Sequence, residues 1–234
     1  MFRRKFSAAT VYLLGLAVSA GAAPVLAASL QEISNKEASS GLKALLEKGA
    51  TVAVNFLGKQ DGFLGNEKVR IPLPSFLEDA AKLLRKLGQG KRIDELITAM
   101  NRAAEAAVPL AKDLLVSAIA SMNVTDAKTI LMGGETSVTT FFIDKTRAPL
   151  FTRFLPVVTT ATEQNGLAEK YNQIASRVAS FGLLKNEDVQ LQDYVTNKTL
   201  DGLFLMIAEE ERKIRRDPIA AGNAVLQRIF GAFK

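Results

Sequence analysis

Lys91-Arg-Ile-Asp-Glu-Leu-Ile-Thr-Ala-Met-Asn-Arg-Ala-Ala-Glu-Ala-Ala-Val-Pro-Leu110 is the stretch that decides the fold class. Ile93, Ile97, Met100, Ala104 and Ala107 recur at alternating spacings of four and three. Ala111, Leu114, Ala118 and Met122 carry the same stripe onward. Apolar residues at that period lie along one helix face, and a sustained run of them is a seam that must be covered by other helices. The spacing predicts the longest helix of the chain over about Lys91 to Ser121. Pro109 lies inside it, removes one backbone donor and is expected to kink it. No segment elsewhere alternates cleanly enough to build a sheet. The expected architecture is all-α: a single-domain multi-helix bundle with one extended, Pro-rich loop segment.

Working toward the N-terminus, Ser75-Phe-Leu-Glu78 reads as a capping box opening a short helix that stops at Gly88. Before it, Val69-Arg-Ile-Pro-Leu-Pro74 must be extended, because a residue preceding proline is pushed out of the helical region. The loop Lys59-Gln-Asp-Gly-Phe-Leu-Gly-Asn66 precedes that segment. The first helix opens at the capping box Ser34-Asn-Lys-Glu37 and ends at Gly58, with Leu42, Leu45, Leu46, Ala53, Phe56 and Leu57 as its stripe. Gly41 and Gly49 either weaken this helix or permit close packing.

Toward the C-terminus, Thr125-Asp126 is expected to cap a short turn of helix before Gly133-Gly134. Ser137-Val-Thr-Thr-Phe-Phe-Ile143 has strand-like composition but no partner strand, so it reads as helix. Helices are expected over about Leu150 to Gln164 and Leu167 to Ser180, with Gly166 and Gly182 as stops. Another is expected from about Leu191 to Arg215. Asp217-Pro218 looks like an N-cap followed by proline at the first position of the last helix.

The first residues read as an export signal. Arg3, Arg4 and Lys5 precede an apolar run from Val11 to about Ala23. Pro24 then breaks the helix and Val25-Leu-Ala27 fits a cleavage site. The expectation is a signal peptide over 1–27 and one helical domain over 28–234, located in the periplasm or secreted. An uncleaved anchor is the weaker alternative, because a span needs about 20 apolar residues and this run contains Gly15, Gly21 and Pro24. The formal charge of +6 (30 basic, 24 acidic side chains) falls to +3 once the three basic residues of the leader are removed. The basic side chains are scattered and not interleaved with aromatics, which argues against a nucleic-acid platform.

The chain contains no Cys and no His. Disulfides, Ser-His-Asp triads, Cys nucleophiles, iron–sulfur clusters and zinc sites built on His or Cys are thereby excluded. Chemistry based on carboxylates, Lys, Tyr or Ser-Lys stays open. Neither a calcium loop nor a phosphate-binding loop is present. The reading therefore expects no metal and no cofactor.

Seven residues stand out as candidates for binding a ligand or a partner. Phe63 and Leu64 sit between Gly62 and Gly65. They either close over a groove as a flap or plug the bundle while the glycines make the turns. Arg70 lies in the extended segment. On the long helix, at about 100° per residue, Asp94, Thr98, Asn101 and Glu105 form a polar strip beside the seam, with Arg102 nearly opposite. The strip is either a site lining an inter-helix cleft or a solvated shoulder. Glu211 interrupts the apolar stripe Leu200, Leu203, Phe204, Ile207 and Ile214. It forms either a buried ion pair or a local surface pair with Arg215, four residues on. Tyr171, Asn172 and Tyr194 are explained by amphipathic placement.

Asp61-Gly-Phe-Leu-Gly-Asn66, Val69-Arg-Ile-Pro-Leu-Pro74, Met100-Asn-Arg-Ala-Ala-Glu105, Ala107-Val-Pro109, Tyr194-Val-Thr196 and Leu200-Asp-Gly-Leu-Phe-Leu-Met-Ile-Ala-Glu-Glu-Glu211 together resemble a bacterial exported family of unknown function, numbered 4197. The resemblance spans about Ser34 to Phe233. It implies a secreted or periplasmic, mostly helical domain and carries no activity or functional residue.

Three functions are compatible with these readings. The first is a non-catalytic periplasmic domain binding an apolar ligand, such as a lipid, between helices. The second is an interaction or envelope scaffold module that meets another envelope protein or a second copy of itself through Phe63, Leu64 and the Val69–Pro74 segment. The third is a carboxylate enzyme with Glu211 or Glu105 as acid or base and Arg70 or Arg102 holding an anion, which requires two of these groups to converge.

Overall fold

The computed structural model describes residues 33–110, 112–179 and 191–231. The leader over 1–27, Ala111 of the seam and the stop at Gly182 lie outside the described residues. Those described form nine α-helices and no strand: α1 (Asn35–Leu57), α2 (Glu78–Lys86), α3 (Gly90–Leu110), α4 (Lys112–Ser121), α5 (Ala127–Leu131), α6 (Ser137–Gln164), α7 (Leu167–Ala179), α8 (Leu191–Arg216) and α9 (Ala224–Gly231). The all-α expectation holds.

Local chemistry accounts for several helix ends. Ser34 caps α1 through its hydroxyl, which accepts from the Glu37 N–H at 3.1 Å, while the Glu37 carboxylate accepts from the Ser34 N–H at 2.9 Å. The Ser34 N–H, and then the Ser34 hydroxyl donating to the same carboxylate at 2.8 Å, hold the Glu37 carboxyl below its ordinary range. Gly58 closes the helix with its N–H on the Val54 carbonyl. Gly166, at a φ of 63°, takes the left-handed conformation that follows α6.

Helix α8 is central. It packs along α1 on one side and α6 on the other, while α3 lies against α6, α7 and α2. Helix α4 lies on α1 and α6, and α9 covers the start of α1. The glycines of α1 serve close approach. A methyl on Gly41 would collide with Ile229 of α9, and one on Gly49 would sit 3.1 Å from Ile207 of α8.

The structure corrects several details. Phe56, placed on the buried stripe of α1, is 47% exposed. The capping box at Ser75 does not form. Pro74 (φ −56°, ψ 143°) leads into a 3₁₀ turn over Ser75–Leu77, so Ser75 is inside the turn and caps nothing. Helix α2 instead starts with Glu78 and Asp79, whose charges suit its N-terminal dipole. Helix α6 is 28 residues long. It joins two segments read as separate and runs through Pro149 and Pro156. Asp126 stands at the N-cap of α5 without a side-chain cap bond. Asp217 accepts from the Ala220 N–H and closes a turn, not a helix. The last helix begins after it, capped by Asn223, whose Oδ1 accepts from the N–H groups of Val225 (2.9 Å) and Leu226 (3.2 Å).

Candidate functional site

The polar strip of α3 is occupied by the chain's own loop. Residues 59–74 form no α-helix and lie as a strap fastened to α3 and α8. Asn101 is fully buried. Its Oδ1 accepts from the Ile71 N–H at 2.8 Å, and its Nδ2 donates to the Ile71 carbonyl at 2.9 Å and the Ile97 carbonyl at 2.8 Å. It serves both backbone groups of one strap residue, as a neighbouring strand would. One turn later, Glu105 Oε1 accepts from the consecutive N–H groups of Phe63 and Leu64, each at 3.1 Å. Glu105 Oε2 accepts from Arg102 Nη1 at 2.6 Å, and Arg102 Nη2 donates to Asp61 Oδ1 at 2.7 Å. Glu105 first, then Asp61, holds the Arg102 guanidinium above its ordinary value. Asp61 is the one non-glycine among the described residues with a positive φ, at 65°. Asp tolerates that region better than most residues, and here its carboxylate is clamped by Arg102.

The other side of the strap meets α8. Phe63 is fully buried, and its ring lies where a methyl on Gly202 would be 2.7 Å from Cε1. The Tyr194 hydroxyl donates to the Pro72 carbonyl at 3.0 Å, and Lys68 pairs with Glu209 at 2.5 Å. Burial, with the Glu78 and Asp201 charges behind it, pushes the Tyr194 phenol above its ordinary value. Phe63 is therefore a plug. Leu64 is half-buried, and Arg70 is exposed, beside a 150 Å³ hollow shared with Lys198 and Asp201.

Glu211 is fully buried and caps α6 across the fold. Its Oε1 accepts from the Val138 N–H at 3.1 Å and from Arg215 Nε and Nη2 at 2.9 and 2.8 Å. Its Oε2 accepts from the Thr139 N–H at 2.8 Å and the Thr139 hydroxyl at 2.7 Å. Thr136, in the N-cap position, gives no side-chain bond. The orphan donors of the first turn are thus met by a carboxylate 72 residues away from Thr139. Arg215 ties in the preceding segment, donating to the Leu131 carbonyl (2.8 Å) and the Ser137 hydroxyl (2.9 Å), with its guanidinium over the Phe230 ring. Of the two readings, the buried pair is the one present.

The seven candidates thus form two assemblies. Glu105, Arg102, Asn101, Phe63 and Leu64 come together in the strap clasp, Arg70 lies along the strap, and Glu211 works at the start of α6. Both carboxylates accept hydrogen bonds from groups that hold the fold together. Among the described residues, no three acidic side chains gather where they could bind a metal ion.

The open space lies elsewhere. A groove of about 580 Å³ runs between the end of α4, the 122–126 connection, α5 and one face of α6. Ala118, Met122, Ile130, Phe141, Pro149 and Leu150 give it an apolar surface. Ser121, Asn123, Thr125, Asp126, Thr146, Lys145 and Arg153 supply its polar positions. Its volume lies within the roughly 300–1,000 Å³ of small-molecule sites. A hollow of about 610 Å³ along Ile143, Arg147 and Phe151 is shallower and more open. Sequence reading singled out no residue of the groove as a site, although Ala118 and Met122 belong to the seam. The signal in α6 is Phe141, Lys145, Pro149 and Arg153 at four-residue steps, a face mixing aromatic, cationic and proline residues.

No described helix is long and apolar enough to cross a membrane. Helices clasped by two buried carboxylates define an all-α fold among the described residues. The family described as protein of unknown function (DUF4197) matches residues 32–231, and the chain belongs to that family. Comparison with curated proteins and with solved structures gives no match.

Proposed function

We propose that the chain is a non-catalytic binding domain that holds an apolar ligand in the groove between α4, α5 and α6. The supporting observation is the groove itself, a trough of about 580 Å³ whose floor of Met122, Phe141 and Leu150 is apolar. About ten buried methylenes supply roughly 8 kcal/mol gross. The ordering terms of association take back several of these, so micromolar or weaker affinity is expected. Export completes the proposal: the leader is removed after Ala27 and the domain works in the periplasm or outside the cell.

Native mass spectrometry of the chain, expressed with its own leader and purified gently from the periplasm, tests this. The expected result is a mature protein starting at Ala28 with an added mass that denaturation releases. Ala118→Phe, which fills the groove, should remove that mass. A bare chain from several preparations refutes the binding reading, and a retained leader refutes the export reading.

A second reading, an interaction module, is supported by exposed apolar side chains. Leu110 is 68% exposed, and on α4 only Leu115 and Ile119 are buried while Val116 faces solvent. Contact through Phe63, as expected from the sequence, has no support, because that ring is inside the fold. Sedimentation across a concentration series decides it: association that Val116→Lys abolishes favours the module, and a monomer throughout removes it.

A further inference from the structure

Helix α6 carries three cationic side chains over its first five turns, and the fold treats them differently. Arg147 is paired, its Nη2 donating to Asp201 Oδ1 at 2.7 Å and its guanidinium over the Phe204 ring. Lys145 and Arg153 are exposed, and neither makes a hydrogen bond or an ion pair among the described residues. Both line the groove. They sit eight residues apart on one helix face, about 12 Å along the axis, with Pro149 between them. The Lys145 ammonium lies over the Phe141 ring, 5.9 Å from its centre, so cation and apolar wall adjoin. Asp126 is the one acid of the lining, against these two cations.

A trough with an apolar floor, edged by two cations that make no hydrogen bond or ion pair among the described residues, suits a molecule that is apolar along its length and anionic at its head. Resting on the binding function proposed above, we propose that the ligand is a single-chain amphiphile with an anionic head, a carboxylate or phosphate, that Lys145 and Arg153 engage while the tail lies on Met122, Phe141 and Leu150. A neutral hydrocarbon chain makes the tail contacts alone and leaves both cations unused. Charge-assisted bonds to the head are the stronger kind, and the partly closed groove screens them less than open solvent does.

The test uses two probes of equal tail length, decanoate and decanol, titrated as monomers against the purified protein. Decanoate should bind about tenfold more tightly, and added salt should shrink that margin. Lys145→Gln with Arg153→Gln should erase the preference and leave decanol binding unchanged. Asp126→Asn should act in the opposite direction, strengthening decanoate severalfold, a gain that a merely structural role does not give. All three side chains are exposed, so the variants should keep the parent far-UV circular dichroism. Equal binding of both probes, abolished for both by Ala118→Phe, overturns the anionic-head inference and leaves the groove function standing. Failure of both probes to bind, or binding that Ala118→Phe does not touch, overturns the groove function itself. Binding to phosphatidylglycerol vesicles without binding to monomeric decanoate overturns the single-amphiphile inference in favour of a membrane surface.

Discussion

Replacing Glu211 by alanine leaves four groups behind it without their partner: the Val138 N–H, the Thr139 N–H, the Thr139 hydroxyl and the Arg215 guanidinium. Removing one member of a buried ion pair costs about 3–5 kcal/mol, because the remaining charge stays desolvated. Arg215 keeps 15% side-chain exposure and its bond to the Leu131 carbonyl, which places its share at the lower end. The lost cap of α6 adds about 1 kcal/mol. The expected destabilisation is about 4 kcal/mol, against a total of about 5–15 kcal/mol for a domain, so the variant should still fold. In a domain of this size that lowers the melting temperature by about 8–16 °C. Glu211→Gln should recover only part of the loss, since its amide group presents a donor to a site built from donors.

Urea unfolding followed by circular dichroism measures the loss, and a double-mutant cycle with Arg215→Ala isolates the pair. A buried pair sharing these donors should couple by about 2 kcal/mol or more. A solvated pair at the same four-residue spacing gives only about 0.3–0.5 kcal/mol. Amide exchange adds a local signature, because Val138 and Thr139 should lose protection before the rest of α6. A destabilisation under about 1 kcal/mol with coupling under about 0.5 kcal/mol would refute the trans-capping argument.

Three further outcomes follow from the strap. Gly202→Ala should destabilise by about 1–3 kcal/mol despite a gain in helix propensity, because the new methyl meets the Phe63 ring at 2.7 Å; an unchanged or raised melting temperature contradicts that packing. Asn101→Leu keeps the branching and heavy-atom number but strands the Ile71 N–H and carbonyl, so about 2–4 kcal/mol should be lost together with exchange protection at Ile71; protection retained there means the strap is held otherwise. Tyr194 has a raised folded pKa, so its share of stability is fully present below the unfolded value of about 10 and is lost as pH rises through the folded one. Tyr194→Phe should flatten the fall in stability at alkaline pH, and tyrosinate difference absorbance should assign the upshifted phenol to this residue; a Tyr194 titrating at its ordinary value contradicts the partial desolvation of this half-buried side chain.

Some features that depend on neighbours in sequence were legible, although the equally local capping box read at Ser75 did not form. The capping box at Ser34 and the stop at Gly58 are such cases, because all their atoms lie within four residues. So was the fact that Glu211 breaks an apolar stripe. What Glu211 does was not legible, since its N–H partners are more than 70 residues away and belong to a helix start with no capping sequence of its own. Asn101 and Glu105 show the same division. Their helical period placed them together, but the strap they hold lies 30 to 42 residues earlier, and no local rule says which backbone they will serve. The break read between Ile143 and Leu150 is absent for a physical reason. Proline weakens a helix locally, yet α6 is held along its length by α8 and α3, and tertiary packing overrides the two missing backbone donors. The groove was invisible because it is assembled from three helices and a connection.

Separating the clasps from the groove also decides what Glu105 and Glu211 can contribute to function. An acid–base role needs a carboxylate that can exchange a proton with a substrate within hydrogen-bond reach. Glu211 already accepts five hydrogen bonds from the protein, and Glu105 accepts three while 5% exposed. Opening either one to a substrate undoes the strap or uncaps α6. The two kinds of site should therefore answer to different assays. Glu105→Gln and Glu211→Gln should lower unfolding stability and leave decanoate affinity at 25 °C unchanged wherever the protein remains folded. Lys145→Gln and Arg153→Gln should do the reverse. A Glu105 variant that keeps full stability but loses ligand binding would break this separation and return the polar strip of α3 to the position of a binding site.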